Sequence, residues 1–301
     1  MRARAQIALL PDGRRLHLHD GPIDLIVEAF GASGEINTAY RAAAERFITV
    51  LDELCAELSI LRQPAGIGGP AVVGVIARRM VAAVLPHSER NFITPMAAVA
   101  GAVAEEILDS MTPVAAFSRA YVNNGGDIAL HLAPGERFVV GMVERPDHPS
   151  FFGKVELHST LPVRGIATSG WRGRSFSLGI ADAVTVLADR AAMADAAATI
   201  IANAVDLPGH PSISRAPACD LAPDSDLGKR LVTRGVGDLT SDEIDAALDA
   251  GVVVAASLVY EGLIRSAALH LRGETRVVGV GVASGPSAAE SKNSSRSLIH
   301  A

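Results

Sequence analysis

The stretch Gly165–Ser175 reads GIATSGWRGRS and gathers three glycines, three hydroxyls and two arginines into eleven residues. Backbone N–H groups, hydroxyls and guanidinium forks at this density can converge on a single anion, typically a phosphate. Thr168, Ser169, Gly170, Arg174 and Ser175 are the residues that would make those contacts. Further on, Asp195 and Thr199 stand four residues apart in ADAAAT, a spacing that puts both on one face of a helix. A carboxylate stacked on a hydroxyl along an otherwise apolar helix suits a hard, oxygen-seeking cation such as Mg²⁺. An anion cradle followed by hard ligands amounts to metal–phosphate chemistry. The same residue types also make plain connecting loops and local side-chain hydrogen bonds, so composition leaves both readings open.

Several elements must position these groups. Ala183–Ala188 (AVTVLA) is a short apolar, β-branched run, the mark of a buried strand. Asp189 then stands as the expected N-cap of an alanine-rich helix from Arg190 to about Val205. Tyr121–Leu130 (YVNNGGDIAL) reads as strand, turn, strand, with Asn124, Gly126 and Asp127 at the turn; Asn-Gly is the strongest short hairpin signal. Thr94-Pro95 opens a further helix with a cap and an N1 proline. Its body, Met96–Ala104, is nearly all Ala, Val and Gly, which lets another backbone or a ligand approach closely. Gly101 costs ~1 kcal/mol relative to Ala for that access.

Elsewhere, Gln6–Leu10 and Arg15–His19 flank Pro11-Asp12-Gly13-Arg14 and predict a hairpin. His17 and His19 alternate on one strand face, where a solvated face accounts for them better than a metal pair, since no acidic or cysteine partner lies nearby. Phe47, Val50, Leu51, Leu54, Leu58 and Leu61 recur in helical rhythm and predict a helix from Ala43 to about Leu61. The Gly/Pro-rich Pro64–Pro70 connects it to a second helix ending near Leu85. Strands are expected at Phe138–Val143, Lys154–Thr160, Ser266–Leu271 and Arg276–Val282. Pro223–Gly228 (PDSDLG) sets two acids and a hydroxyl in a turn, which an Asx-type turn accounts for better than a metal contribution. Thr240-Ser241-Asp242-Glu243 is a capping box opening a helix to about Leu263. Ser284–Ala301, rich in Ser, Ala, Lys and Asn, reads as a disordered tail behind a single domain of about residues 1–283.

The chain has 301 residues, 49% of them hydrophobic and 20% charged, which describes a soluble globular protein with ample core. A net charge of −6 with no basic stripe argues against a nucleic-acid partner. Cys55 and Cys219 form no CxxC pair, so a thiolate zinc cluster is excluded and a reducing compartment is expected. The apolar run after Met1 is broken at Pro11, against a signal peptide, and Gly251–Tyr260 is too short to span a bilayer. These observations predict a cytoplasmic protein with no membrane partner.

GIATSG, the AVTVLA strand and ADAAAT together resemble the signature run of ApbE-type proteins, the FAD:protein FMN transferases. FITPMAAVAGAVAEEIL, VNNGGDIAL, the string from ATSG through GRS to GIADAVTVLA, and PDSDLG resemble a branch of ApbE-related proteins in bacteria and methanogenic archaea, over most of residues 35–272. The resemblance implies an ApbE-like α+β fold of antiparallel sheets and helices. It implies Mg²⁺ held by Asp195, Thr199 and a backbone carbonyl at Ala97 or Ala98, beside FAD or another flavin or adenine nucleotide. It also implies that Asn124, Gly126 and Asp127 lie next to that nucleotide, and that an acceptor protein is a partner. Two features depart from the transferase pattern. The family's lysine falls at Ala100 or Gly101, and its H-H-I-I-D-P-x-T-G segment is replaced by WRGRSFSLGIAD, which has neither histidine nor Asp-Pro. Asp182 is the remaining candidate base. The expectation is a Mg²⁺-dependent flavin- or nucleotide-binding protein with weakened transferase activity. The alternative is a non-catalytic accessory or carrier protein in a redox or sulfur-trafficking pathway.

Overall fold

Turn residues at Pro11–Gly13 and Gly21 start an antiparallel meander, because Gly13 and Gly21 adopt the left-handed conformation that such turns demand. It comprises β1 (Gln6–Leu9), β2 (Leu16–Asp20) and β3 (Ile23–Phe30), and is followed by α1 (Ser33–Ala56) and the short α2 (Leu58–Leu61). Next come α3 (Val75–Val84) with a 3₁₀ turn at its end (Leu85–His87), and a 3₁₀ turn (Pro95–Ala98) that leads into α4 (Val99–Met111). Hairpin β4 (Arg119–Asn124)–β5 (Asp127–Leu132) precedes a second hairpin, β6 (Arg137–Val143)–β7 (Phe151–His158). Then follow β8 (Gly165–Ser169), β9 (Ala183–Ala188), α5 (Ala191–Ala204), β10 (Ile213–Pro217), α6 (Ala218–Leu221), β11 (Leu231–Val236), α7 (Ser241–Tyr260), β12 (Ser266–Leu271), β13 (Glu274–Gly279) and β14 (Leu298–His300). The structure is a computed structural model that describes residues 5–66, 68–143, 151–279 and, by backbone, 298–300.

Nine strands form one antiparallel sheet in the order β1-β2-β3-β4-β5-β8-β9-β12-β13. Strand alternation divides its side chains between two layers. On one face Leu16, Leu18, Leu25 and Val27 share a core with α1, α3 and α4, while Ala167, Val184, Val186 and Leu269 share one with α5 and α7. On the other face Tyr121, Ile128, Leu130 and Ile166 meet Phe138, Val140, Val155 and Leu157 of the β6–β7 hairpin. Because β9 is covered on both faces, all six of its residues are buried, which is why AVTVLA is a continuous apolar run. The architecture is α+β, as expected.

Several sequence expectations move. α1 begins at Ser33 rather than Ala43, and it ends at Ala56, with the turn of α2 separate. β3 extends the first hairpin into a meander, with alternating burial. The cap positions at Thr94 and Thr240 are as expected, and Thr240 with Glu243 forms the full capping box. The Thr94 hydroxyl, however, donates to Asp226 of the Pro223–Gly228 turn instead of capping its own helix. His17 bonds Asp24 at 2.7 Å on a part-exposed strand face, without a metal cluster among the described residues. Of the expected disordered tail, Leu298–His300 is instead a strand beside β6, in parallel register; its apolar pair Leu298-Ile299 gives that segment β character. The rest of Ser284–Ala301, like Val280–Val282 of the last expected strand, lies outside the described residues.

Candidate functional site

The first turn of α5 is held between two glycines. A Cβ on Gly165 of β8 would stand 2.1 Å from the carbonyl carbon of Arg190, and one on Gly101 of α4 would stand 2.4 Å from the Ala191 carbonyl oxygen. Both neighbours are backbone, so neither position accepts any larger residue without moving a helix. α5 thereby crosses α4 and β8 at closest approach. The small side chains around Gly101 make this crossing possible.

At the crossing each helix caps the other. Neither has a side-chain cap of its own, and the N-cap position of α5 is Arg190, not Asp189. Asp189 instead pairs with Arg265, its Oδ1 accepting from Nε at 2.6 Å. The cap of α5 comes from α4: Glu105 accepts from the Ala192 amide at 2.8 Å, and also from Arg79 at 3.0 Å and Arg190 at 2.8 Å. The cap of α4 comes from α5: Asp195 Oδ2 accepts from the Gly101 amide at 2.9 Å. A carboxylate at each helix start satisfies orphan amides and meets the positive end of the helix dipole. Sequence reading missed Glu105 altogether, although two adjacent acids in the otherwise apolar AVAEEIL were a visible signal.

A second carboxylate approaches Asp195 from the sheet. Gly125 and Gly126, both at positive φ, turn β4 into β5, and Asp127 follows at the first position of β5, registered opposite Asn124. Asp127 accepts from the Thr168 amide at 3.3 Å. Burial pushes its carboxyl up to about 7, against the pull of the Thr168 amide and the Arg174 charge. Asp195 is held well above the usual carboxylate range, by burial first and by the Asp127 charge second, while the amides of Gly101 and Ala100 pull the other way. Both residues keep some exposed area, so the recess opens to water at its mouth. Two like charges in one desolvated recess disfavour double ionisation unless a cation joins them.

The remaining expected residues divide between this pair and the β8–β9 connection. Thr199 lies one turn beyond Asp195 on α5, part-buried, and its hydroxyl makes no hydrogen bond to a described residue. Ala98 is the buried N-cap residue of α4, next to the amides that face Asp195. Thr168 bonds its hydroxyl to that of Thr185 across the β8–β9 register, at 2.9 Å. Arg174 lies over the β4–β5 turn, its guanidinium occupying the space a Cβ on Gly125 would need. Asn124 is buried and donates to the Ala100 carbonyl at 3.2 Å, so it ties the turn to α4. Ser169 ends β8, Gly170 packs against the Asp182 carbonyl, and Ser175 is exposed in the following loop.

Asp182 does not join this group. Its Oδ1 accepts from Trp171 Nε1 at 3.1 Å and Arg172 Nε at 2.7 Å, and its Oδ2 accepts from the Arg272 amide at 2.7 Å. Arg272 is the one non-glycine residue at positive φ among the described residues, in the β12–β13 turn. Asp182 therefore fastens the Trp171–Arg172 loop to that turn. Both of its oxygens are thus occupied by donors of the protein itself.

A family model described as "AbpE bacteria" matches residues 7–277, nine-tenths of the chain. The chain belongs to this family. The AbpE assignment agrees with the resemblance carried by the GIATSG, AVTVLA and ADAAAT motifs. Among curated proteins, a UPF0280 protein of Methanopyrus kandleri is 41% identical over 45% of this chain and 50% of its own length. A UPF0280 protein of Methanosarcina barkeri is 34% identical over 58% of this chain and 64% of its own. The chain thus matches about half the length of such relatives. The flavin transferase ApbE from Vibrio cholerae superposes with a TM-score of 0.47 at 12% identity, covering 91% of this chain and 97% of that one. No helix among the described residues is long and apolar enough to cross a membrane.

Proposed function

We propose that the recess between α4, α5 and the β4–β5 turn binds a divalent cation together with a flavin or adenine nucleotide, the ligand class that the name flavin transferase carries. The observation that supports this reading best is the Asp127–Asp195 pair. Two carboxylates brought from distant parts of the chain share a desolvated recess, and the uncommitted Thr199 hydroxyl lies one turn away. Oxygen donors of this kind fit Mg²⁺, which keeps several waters and completes its shell from phosphates rather than from an all-protein cage. Asp195, Asp127 and Thr199 would hold the cation, with the carbonyl region of Ala98 adjacent. When bound, the cation supplies charge neutralisation to a pyrophosphate. Arg174, over the β4–β5 turn, would orient the phosphate side, and Asn124 keeps the turn in register with α4.

A second reading, a non-catalytic accessory or carrier protein, is favoured by one specific observation: the bonding of Asp182 leaves the loop that replaces the family's histidine segment without a free base. General-base help contributes ~10²–10⁴-fold to such reactions. The test is twofold. Mg²⁺ plus FAD at a hundred times its dissociation constant should stabilise the wild type by ~2.7 kcal/mol, and Asp195→Asn should remove most of the metal-dependent part. Incubation with FAD, Mg²⁺ and an acceptor domain should then release little AMP and give no covalent mass shift. An unchanged metal response in Asp195→Asn overturns the site, whereas robust AMP release overturns only the non-catalytic reading.

A further inference from the structure

A cavity of about 340 Å³ opens between α3, the 3₁₀ turn after it, the start of α5 and Leu263. That volume lies within the range of small-molecule sites. Met193 lines it, about 200° around α5 from Asp195, so the cavity sits on the other flank of the helix from the carboxylate recess. α3 and the 3₁₀ turn after it contribute two rows at helical spacing. Arg78, Ala82 and Pro86 form an exposed rim, and Arg79, Ala83 and His87 form the floor.

The floor ends on an unusual group. His87 is only 4% exposed, and no hydrogen bond reaches its imidazole from a described residue. Burial lowers its proton affinity against the raising effect of Glu261, so at neutral pH it is an uncharged ring with a donor and an acceptor to offer. With no hydrogen bond from a described residue, the ring keeps a donor and an acceptor for a group that enters the cavity it lines. The other end is cationic. Arg79 and Arg190 are paired with Glu105 and Asp109, but Arg78 has no carboxylate partner among the described residues and donates only to the Val73 carbonyl. Between the ends, Ala82, Ala83, Met193 and Leu263 supply apolar wall.

We propose that this cavity is a binding site for a small amphipathic acid, with its carboxylate at Arg78, its apolar body against the alanines and Met193, and a hydrogen-bonding group at its far end on His87. The site is separate from the carboxylate recess and does not depend on metal or nucleotide there.

The probe is 4-hydroxyphenylacetate, titrated into the full ¹⁵N-labelled chain while the His87 imidazole resonances are followed by NMR. Phenylacetate and 4-hydroxyphenylacetamide serve as controls lacking the hydroxyl and the charge. The site predicts a saturable shift of the His87 signals, with about tenfold weaker binding for the amide and for Arg78→Gln, the worth of one charge-assisted contact. Ala82→Trp, on the exposed rim, should abolish the shift by filling the mouth while leaving the melting temperature unchanged. Equal binding of the acid and the amide, an undiminished response in folded Ala82→Trp, or no saturable movement of His87 at the solubility limit of the probe overturns the proposal.

Discussion

Asp127 meets the chain at Thr168 and Asp182 meets it at Trp171 and Arg172, and the two acidic sites are built on opposite principles. At Asp182 one carboxylate meets a guanidinium, an indole N–H and a backbone amide, and nothing is left over. At Asp127 and Asp195 two carboxylates share one recess with only amides and the exposed Arg174 for compensation. The first arrangement holds two loops together. The second resists double ionisation, because burial raises both carboxyls and the charge of Asp127 raises Asp195 further. Burial of an acid is thus no guide to its role; the set of donors around it is.

The comparison can be broken most forcefully at Asp182. Replacing it with Ala strands Arg172 and the Arg272 amide, and the expected loss is ~3–5 kcal/mol in urea unfolding. A loss below ~1 kcal/mol would show that its donors turn to solvent at little cost. Asp127→Asn should act in the reverse direction. Native Asp127 holds its proton to about 7, whereas the unfolded chain releases it near the ordinary carboxylate value of ~3.9. Between these values the native state binds more protons, so the stability of the metal-free wild type falls as pH rises. In the Asp127→Asn variant that decline should flatten, with a gain on the order of 2 kcal/mol at pH 8. A variant that keeps the slope would place the repulsion elsewhere.

Gly101→Ala sharpens the comparison by moving α5 without touching any charge. Its Cβ meets backbone at 2.4 Å, and overpacking of this kind costs ~1–3 kcal/mol. If the recess depends on the crossing, the mutant should also lose the Mg²⁺-dependent thermal shift. The smallest effect belongs to the chain end. Truncation after Gly279 removes a three-residue edge strand and should change unfolding stability by about 0.5 kcal/mol or less. A larger drop would mean that β14 contributes to the β6–β7 layer.

Much of this architecture was legible in the chain because its signals are local. AVTVLA, the Asn-Gly turn and the Thr240–Glu243 box each write their structure within a few residues, and each formed where expected. The expected metal residues Asp195 and Thr199 share a helix face by the same local logic. Asp127 was legible only as a neighbour of the nucleotide, and its opposition to Asp195 was not, since β4–β5 and α5 meet through the fold. The cap of α5 failed for the same reason. Asp189 has the right chemistry one residue before Arg190, but Arg265 takes its carboxylate, and Glu105 arrives from a separate helix. β3 escaped notice because Asp24 and Glu28 interrupt its apolar positions, a pattern that makes sense only once both faces of the sheet are known.

The exchanged caps have a consequence for motion. Glu105, midway along α4, closes the amides at the start of α5, and Asp195 closes those at the start of α4, so any separation of the two helices breaks both caps at once. The two first turns open as one unit rather than as two independent ends. Amide exchange at Gly101 and at Ala192 should therefore proceed at matched rates, and a cation drawing on Asp195 should change both together.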